Sequence, residues 1–336
     1  MILSFHNFAA DIAPHESWGL HLGLMAMCLA ALIAVLRMFL PNIAKDWCVR
    51  LFGGMAVGAL GSYFVSRFVS NGIDPLANIF EILLLVGGGL VAIGLAAQWR
   101  RPQPGLNAVL FPMALVVMCM ALLLADAFGP SAVDDSKRQT IAHPLLIAHI
   151  VLAVVATVQL GFAAIVAGIY LAQDRALSKK MDNSLFRSLP SIETMRTYID
   201  VSIDIGFAAL TSSLILGFIV VRKSLSEWLS DPVVDTSLAM WLVFAVVAVG
   251  RRVGPLYGKR VVYTVLVGFA LVVAFFAWMS ISTGGLHSFE RSDTSSLERK
   301  ENLAKSVTSL GSLTFNSSMH ANAMRVGDQR ASGRRV

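Results

Sequence analysis

The sequence predicts an all-α, polytopic integral membrane protein, a bundle of about eight transmembrane helices. Only 14% of its 336 residues are charged and 56% are hydrophobic, whereas a soluble domain carries about a quarter charged residues. Apolar stretches recur along most of the chain at close to the roughly 20 residues that a helix needs to cross a bilayer. Because each stretch is continuously apolar, helices are favoured over a β-barrel, whose strands alternate between the two faces.

Eight stretches are long enough to span the membrane core, and short polar joints separate them. They are residues 18–40, 51–69, 78–97, 106–128, 144–171, 199–221, 236–249 and 261–281. The seventh is the shortest and is expected to borrow residues from its flanks. We therefore divide the chain into an extracytoplasmic segment (1–17), one membrane domain (18–285) and a polar, Ser-rich tail (286–336) that is expected to be disordered. The first span is too long for a signal-peptide core and is expected to be retained.

Lysine and arginine are distributed unevenly between the joints. The joints after odd-numbered spans carry the larger share: Lys45, Arg50, Arg100, Arg101, Arg175, Lys179, Lys180, Arg187, Arg196, Arg251, Arg252, Lys259 and Arg260. By the positive-inside rule these joints are cytoplasmic, so both termini are expected outside a cytoplasmic (inner) membrane. The same joints and the basic tail account for the net charge of +6, and nucleic acid is not a predicted partner.

Four histidines map to the predicted outer face: His21, His143, His149 and His287. Neutral imidazole is a usual axial ligand of haem iron, and two imidazoles from different helices could clamp a haem. For any one of them, a position among lipid headgroups is the commoner situation. His143 and His149 are six residues apart and point in different directions on a helix, so they are not expected to share one ligand.

Charged residues inside the predicted spans form a second group of candidates. Arg37, Glu81 and Asp126 all lie near the ends of their spans, where a long side chain could reach the interface, and Glu81 is the strongest functional candidate of the three. Asp200 and Asp204, four residues apart near the predicted cytoplasmic end of the sixth span, are expected to form a solvated helix start.

The three cysteines, Cys28, Cys48 and Cys119, are scattered along the chain. The sequence contains no C-x-x-C and no C-x-x-C-H. It therefore predicts neither a dithiol reductase nor a c-type cytochrome.

Five sequence blocks carry a resemblance to a known family, in the order in which that family has them. They are PLANIFE at 75–81; His149-Ile150 followed by Tyr170-Leu171; LPSIE at 189–193 with IGFAALT at 205–211 and Gly217; WLSDP at 228–232 with WLVFA at 241–245; and YGKR at 257–260 with Gly268-Phe269 and GLHSF at 285–289.

Together these blocks resemble the cytochrome c assembly family, the membrane haem-handling proteins of the CcsA and ResC type with their HemX-like relatives, most strongly from Pro144 onward. The resemblance implies that haem is bound with His149 and His287 as axial ligands, beneath a loop that contains Trp228 and Asp231. It implies haem delivery at the outer face, with apocytochrome c and a partner membrane assembly protein as partners. No catalytic residue is predicted, and any lyase activity would need the partner.

Two other functions remain open. The family's loop holds several tryptophans, whereas this chain keeps Trp228 and has Ser230 at the second tryptophan position, which favours a HemX-like accessory or regulatory protein of haem biosynthesis or insertion. The family also has members with a histidine in the span before the first block, and residues 51–69 contain none.

A carrier of an unrelated solute is the third interpretation. Carriers usually contain an internal repeat with broken helices at matching positions, but Gly87-Gly88-Gly89 has no counterpart in a second half of the chain.

Overall fold

Eight helices make up the regular structure of the computed structural model, which describes residues 14–40, 45–71, 79–100, 103–128, 144–180, 188–220, 232–254 and 258–282. The helices are α1 (Pro14–Phe39), α2 (Asp46–Asn71), α3 (Ile79–Arg100), α4 (Pro104–Phe128), α5 (Pro144–Ser178), α6 (Ile192–Val220), α7 (Pro232–Val253) and α8 (Lys259–Ser282). The described residues contain no strand. The predicted all-α fold class is confirmed.

The ends of several helices follow directly from the local sequence. Four of the eight begin with proline, whose missing N–H would lack an intrahelical acceptor at that position in any case. At the start of α6, Ser191 acts as the cap, because its Oγ accepts the backbone N–H of Thr194 at 3.2 Å. At the end of α7, Gly254 has a φ of 104°, a conformation that glycine adopts without a steric penalty.

Each predicted span coincides with one helix, but the helices are longer. α5 has 35 residues, about 52 Å at 1.5 Å per residue, because its backbone ladder continues through the polar residues that follow the span. Six helices, α1 to α6, are long and apolar enough to cross a membrane. Within the described residues α7 and α8 do not meet that test, although they have 22 and 24 residues.

Most helices pack against the helices next to them in the chain. The most extensive interface lies between α5 and α6; α1 packs on α2 and α4, α3 packs on α4 and α5, and α7 packs on α6. The triple glycine of α3 lets it approach two helices at once. A Cβ at Gly87 would come within 2.6 Å of Met118 on α4, and one at Gly89 within 2.8 Å of Val158 on α5. These glycines therefore have a packing role.

The chain divides into a unit of residues Met1–Phe275 and a second unit of residues Phe276–Val336. In the second unit the structure describes only the helical residues 276–282. The predicted disordered tail and most of the predicted N-terminal segment lie outside the described residues.

Candidate functional site

Described residues from the C-terminal sequence blocks meet where α5, α6, α7 and α8 pack together. Phe269 of α8 lies against α5, because a Cβ at Gly161 would come within 3.3 Å of its ring. Gly268, the neighbouring residue, allows α8 to approach α7, since a Cβ there would lie 3.0 Å from Cγ1 of Val243. Motif residues that are far apart in sequence thus form one packed region.

Trp241 connects two of these blocks. Its indole Nε1 donates a hydrogen bond to Oγ1 of Thr211 at 3.0 Å, and its ring lies 5.9 Å from the ring of Phe207, measured between centroids. A buried indole N–H normally finds an acceptor, and here Thr211 on α6 provides it. The contact fixes the position of α7 on α6.

His149 lies in the second turn of α5, nearer the N-terminus of that helix than Gly161, and its imidazole contacts α6. The ring Nδ1 is 2.6 Å from the backbone carbonyl oxygen of Ser213. The Ser213 hydroxyl lies 3.1 Å from the same Nδ1 and donates to the backbone carbonyl of His149 at 3.0 Å. Three contacts therefore join one residue of α5 to one residue of α6.

The carbonyl contact determines the tautomer of His149. A carbonyl oxygen can only accept a hydrogen bond, so Nδ1 must carry the proton, and in the neutral ring Nε2 then holds the lone pair. Within the described part of the chain, no hydrogen bond is made to Nε2. A metal-bound histidine usually donates its other ring N–H to such an acceptor, which orients the ring. In this arrangement Ser213 orients the imidazole of His149 through Nδ1, and the lone pair of Nε2 is directed away from that contact.

Gly217 provides the space for the ring. A Cβ at this position would lie 2.9 Å from Cε1 and 3.0 Å from Nδ1 of His149. Cα–Cβ bonds in a helix tilt toward its N-terminus, so the side chain of residue 217 would lie over the carbonyl of residue 213, one turn earlier. Glycine leaves that carbonyl open to the imidazole.

Most of the other predicted site residues lie outside the described residues. These are His287, Trp228, Asp231 and His143. His21 is partly buried on α1. Among the described residues no group of three or more His, Cys, Asp or Glu side chains could hold a metal ion.

The prediction that the Glu81 side chain could reach the membrane–water interface differs from the structure. Its side chain is fully buried, and its Oε1 accepts hydrogen bonds from Nε of Arg67 at 2.9 Å and from the hydroxyl of Tyr63 at 3.0 Å. A buried carboxylate is tolerated when it is paired and hydrogen-bonded. Glu81 therefore joins α3 to α2. Arg37 pairs with Asp46, and the side chain of Asp126 is outside the described residues.

Asp200 and Asp204, predicted to form a solvated helix start, have side chains that are 40% and 42% exposed. However, α6 begins at Ile192, before both residues, and both carboxylates form ion pairs. The guanidinium of Arg251 on α7 donates to both carboxylates, to Asp200 at 3.0 Å. Arg252 donates to Asp204 at 2.6 Å. The two acids, four residues apart on one face of α6, hold the end of α7.

Sequence reasoning did not identify Ser213 or assign a role to Gly217. A signal was available, because the small residues Gly206, Ala209, Ser213 and Gly217 are buried at spacings of three and four residues along α6. Such a row of small residues marks a close helix contact in a membrane protein. The row indicates the face of α6 that packs on α5, and His149 lies against it.

Several curated proteins are similar to this chain over most of their length. The cytochrome c biogenesis protein CcsA of Guillardia theta is 23% identical over 67% of this chain and 79% of its own. The CcsA protein of Prochlorococcus marinus strain MIT 9313 is 24% identical over 80% of this chain and 93% of its own. Protein HemX of Brevibacillus brevis is 26% identical over 49% of this chain and 59% of its own. No solved structure matches the chain.

The model of the cytochrome c assembly protein family matches residues 76–287. The match begins inside the PLANIFE block, before Glu81, and ends at His287, so it covers three of the sequence blocks fully, the first and last in part, and more than half of the chain. This chain belongs to the cytochrome c assembly protein family.

Proposed function

We propose that this membrane protein of cytochrome c assembly holds haem at the outer face of the cytoplasmic membrane for attachment to apocytochrome c. The observation that carries the proposal is the 2.6 Å contact between Nδ1 of His149 and the Ser213 carbonyl. That contact leaves the lone pair of Nε2 for iron. Haem is the cargo here, and the chemistry of thioether formation takes place between haem and the apocytochrome.

His287 is proposed as the second axial ligand. It follows α8 in the chain, and the packing of Phe269 at Gly161 supports a position for α8 beside the helix that carries His149. Trp228 and Asp231 are proposed to belong to the loop that covers the haem. Two neutral imidazoles are a common pair of axial ligands for haem iron that has no open coordination position.

The chain's own residues then bind, orient and shield the cargo. Ser213 and Gly217 orient the imidazole of His149, and Trp241 fixes the neighbouring helix through Thr211. The free cysteines are scattered, so the thiols that react with the haem vinyl groups are those of the apocytochrome. A partner membrane assembly protein is proposed to present the apocytochrome.

The test is the visible spectrum of the purified protein from haem-sufficient cells. We expect a Soret band with low-spin haem in the wild type, and loss of most bound haem in His149→Ala and in His287→Ala. His21→Ala is the matched control, because His21 is also partly buried and is also predicted at the outer face; it should retain the wild-type spectrum. Equal haem content in His149→Ala and His21→Ala would contradict the proposal.

A HemX-like accessory role in haem biosynthesis or insertion is the second candidate. The match to HemX of Brevibacillus brevis and the single tryptophan in the WLSDP block favour it. This role would be supported if the wild-type protein contained no haem and if deletion of its gene changed cellular haem levels rather than the attachment of haem to cytochrome c. The same result would count against haem delivery.

The outer location depends on the predicted orientation. Alkaline phosphatase fused to the C-terminus is expected to be active, because both termini are proposed to be extracytoplasmic. Green fluorescent protein at the same position should be dark if it is exported unfolded. Bright fluorescence with inactive phosphatase would place the start of α5 on the cytoplasmic side and would contradict delivery at the outer face.

A further inference from the structure

A cavity of about 120 Å³ lies at the opposite end of α5 and α6 from His149. Its walls come from α5, α6, α7 and the start of α8, and it is placed at the face that the charge pattern predicts to be cytoplasmic. Tyr170, Ile199, Val261 and Val262 form its apolar part. The cavity takes no part in the proposed binding of haem.

Positive charge dominates the polar part of the cavity. Arg196, Arg251 and Arg252 line it, whereas Asp200 is the lining carboxylate. Asp204, beside them, pairs with Arg251 and Arg252. Within the described residues Arg196 makes no ion pair, so its charge is not neutralised there. We call this site the arginine cleft, defined by these three arginines and the start of α8.

Arg251 provides a separate indication of a ligand. Its side chain is only 10% exposed, and its Nε is buried without a hydrogen-bond partner. Leaving such a buried donor without an acceptor is unfavourable. An anion in the cleft would supply an acceptor for Arg251.

The start of α8 adds backbone donors. Gly258, Val261 and Val262 line the cleft, and the first N–H groups of a helix have no acceptor within the helix. The N-terminus of a helix is therefore favourable for an anion. A Cβ at Gly258 would meet no atom within 4 Å, so the backbone here borders open space.

We propose that the arginine cleft binds a phosphate group. Its volume of about 120 Å³ exceeds what a single water molecule needs and suits a small group such as phosphate. Planar guanidinium groups bind phosphate oxygens through paired hydrogen bonds. The phosphate can come from the headgroup of an anionic phospholipid, since basic pockets between helices on this side of membranes bind such headgroups, or from a soluble phosphate compound.

The experiment measures lipid binding to the purified full chain by native mass spectrometry, with phosphatidylglycerol and phosphatidylcholine as the probes. Arg196→Gln/Arg252→Gln removes two partly or fully exposed charges and keeps Arg251, so the folded protein is retained. Arg50→Gln on α2 is the matched control, because it removes one exposed arginine from the same predicted face but not from the cleft. Inorganic phosphate is added as the competitor.

We expect the wild type and Arg50→Gln to bind phosphatidylglycerol in preference to phosphatidylcholine. The double variant should bind phosphatidylglycerol about 10- to 30-fold more weakly, since each basic residue near the surface contributes about fivefold. Displacement of the lipid by millimolar inorganic phosphate would support a soluble phosphate as the occupant; resistance to it would support the lipid. Equal phosphatidylglycerol binding by the double variant and the wild type, or no preference for phosphatidylglycerol in the wild type, would overturn the proposal.

Discussion

Glu81 and His149 both belong to sequence blocks of the family, and both lie near the predicted outer ends of their helices, but their surroundings differ. Glu81 is fully buried and bonded to Arg67 and Tyr63 on the neighbouring helix. His149 is partly buried, and α6 occupies one of its ring nitrogens through Ser213. For the other nitrogen, the described residues provide no acceptor or donor.

This comparison distinguishes a residue whose bonds hold two helices together from the proposed haem ligand. The bonds of Glu81 run to the next helix and keep α2 and α3 together. The bonds of His149 fix its imidazole ring through Nδ1 and leave Nε2 available to a ligand from outside the helix bundle. Substitutions at the first position should therefore change stability, whereas substitutions around the second should change haem binding.

The largest effect is expected for Glu81→Gln. Arg67 is 9% exposed, and the substitution removes the carboxylate to which its guanidinium donates. Breaking a buried pair by removing one charge typically costs about 3 to 5 kcal/mol. We expect a lower melting temperature in detergent and a low yield of folded protein.

Lys259→Gln is the control for this loss of stability. It breaks the ion pair with Asp174, in which the Lys259 side chain is 53% exposed, and an exposed pair contributes little to stability because water screens it. Equal melting temperatures for Glu81→Gln and Lys259→Gln would show that Glu81 has no structural role. Haem loss from fully stable Glu81→Gln would move this residue to the binding site.

A smaller but more specific effect is expected for Gly217→Ala. The added Cβ would overlap the ring of His149 and push Nδ1 away from the Ser213 carbonyl. Loss of such an orienting contact typically lowers metal affinity about 10- to 100-fold, which a haem titration would detect. Gly168→Ala is the control, since a Cβ there meets nothing within 4 Å. If both variants bind haem like the wild type, the proposed role of Gly217 fails.

Ser213→Ala should have the smallest effect. It removes the hydroxyl contacts to His149 but leaves the backbone carbonyl that sets the tautomer. A hydrogen bond of this kind contributes about 1 kcal/mol, so haem affinity should fall by less than about tenfold. A loss as large as that of His149→Ala would mean that the hydroxyl, not the carbonyl, orients the ring.

Much of the fold follows from the sequence, because a membrane limits the chain to helices of a certain length and each apolar stretch predicts one. The ends of the helices are less predictable. α6 begins at Ile192, seven residues before the predicted span, because its first turns carry polar residues outside the apolar stretch.

The candidate site was predictable only in part. Position and family resemblance single out His149, but its contact with Ser213 depends on the register between α5 and α6, which apolar periodicity does not specify. The pairing of Glu81 with Arg67 depends in the same way on the rotation of α2 and α3. In both cases the helices are predictable from composition and the contacts between them are not.

Rescue of His149→Gly by free imidazole would show whether the imidazole of His149 is an iron ligand. We expect the variant to purify with little haem, and millimolar imidazole during haem loading to restore the wild-type low-spin Soret band, since the added ring can occupy the space beside Gly217 that the His149 ring vacates. A variant that keeps the wild-type spectrum without imidazole would contradict the claim that the imidazole of His149 is an iron ligand.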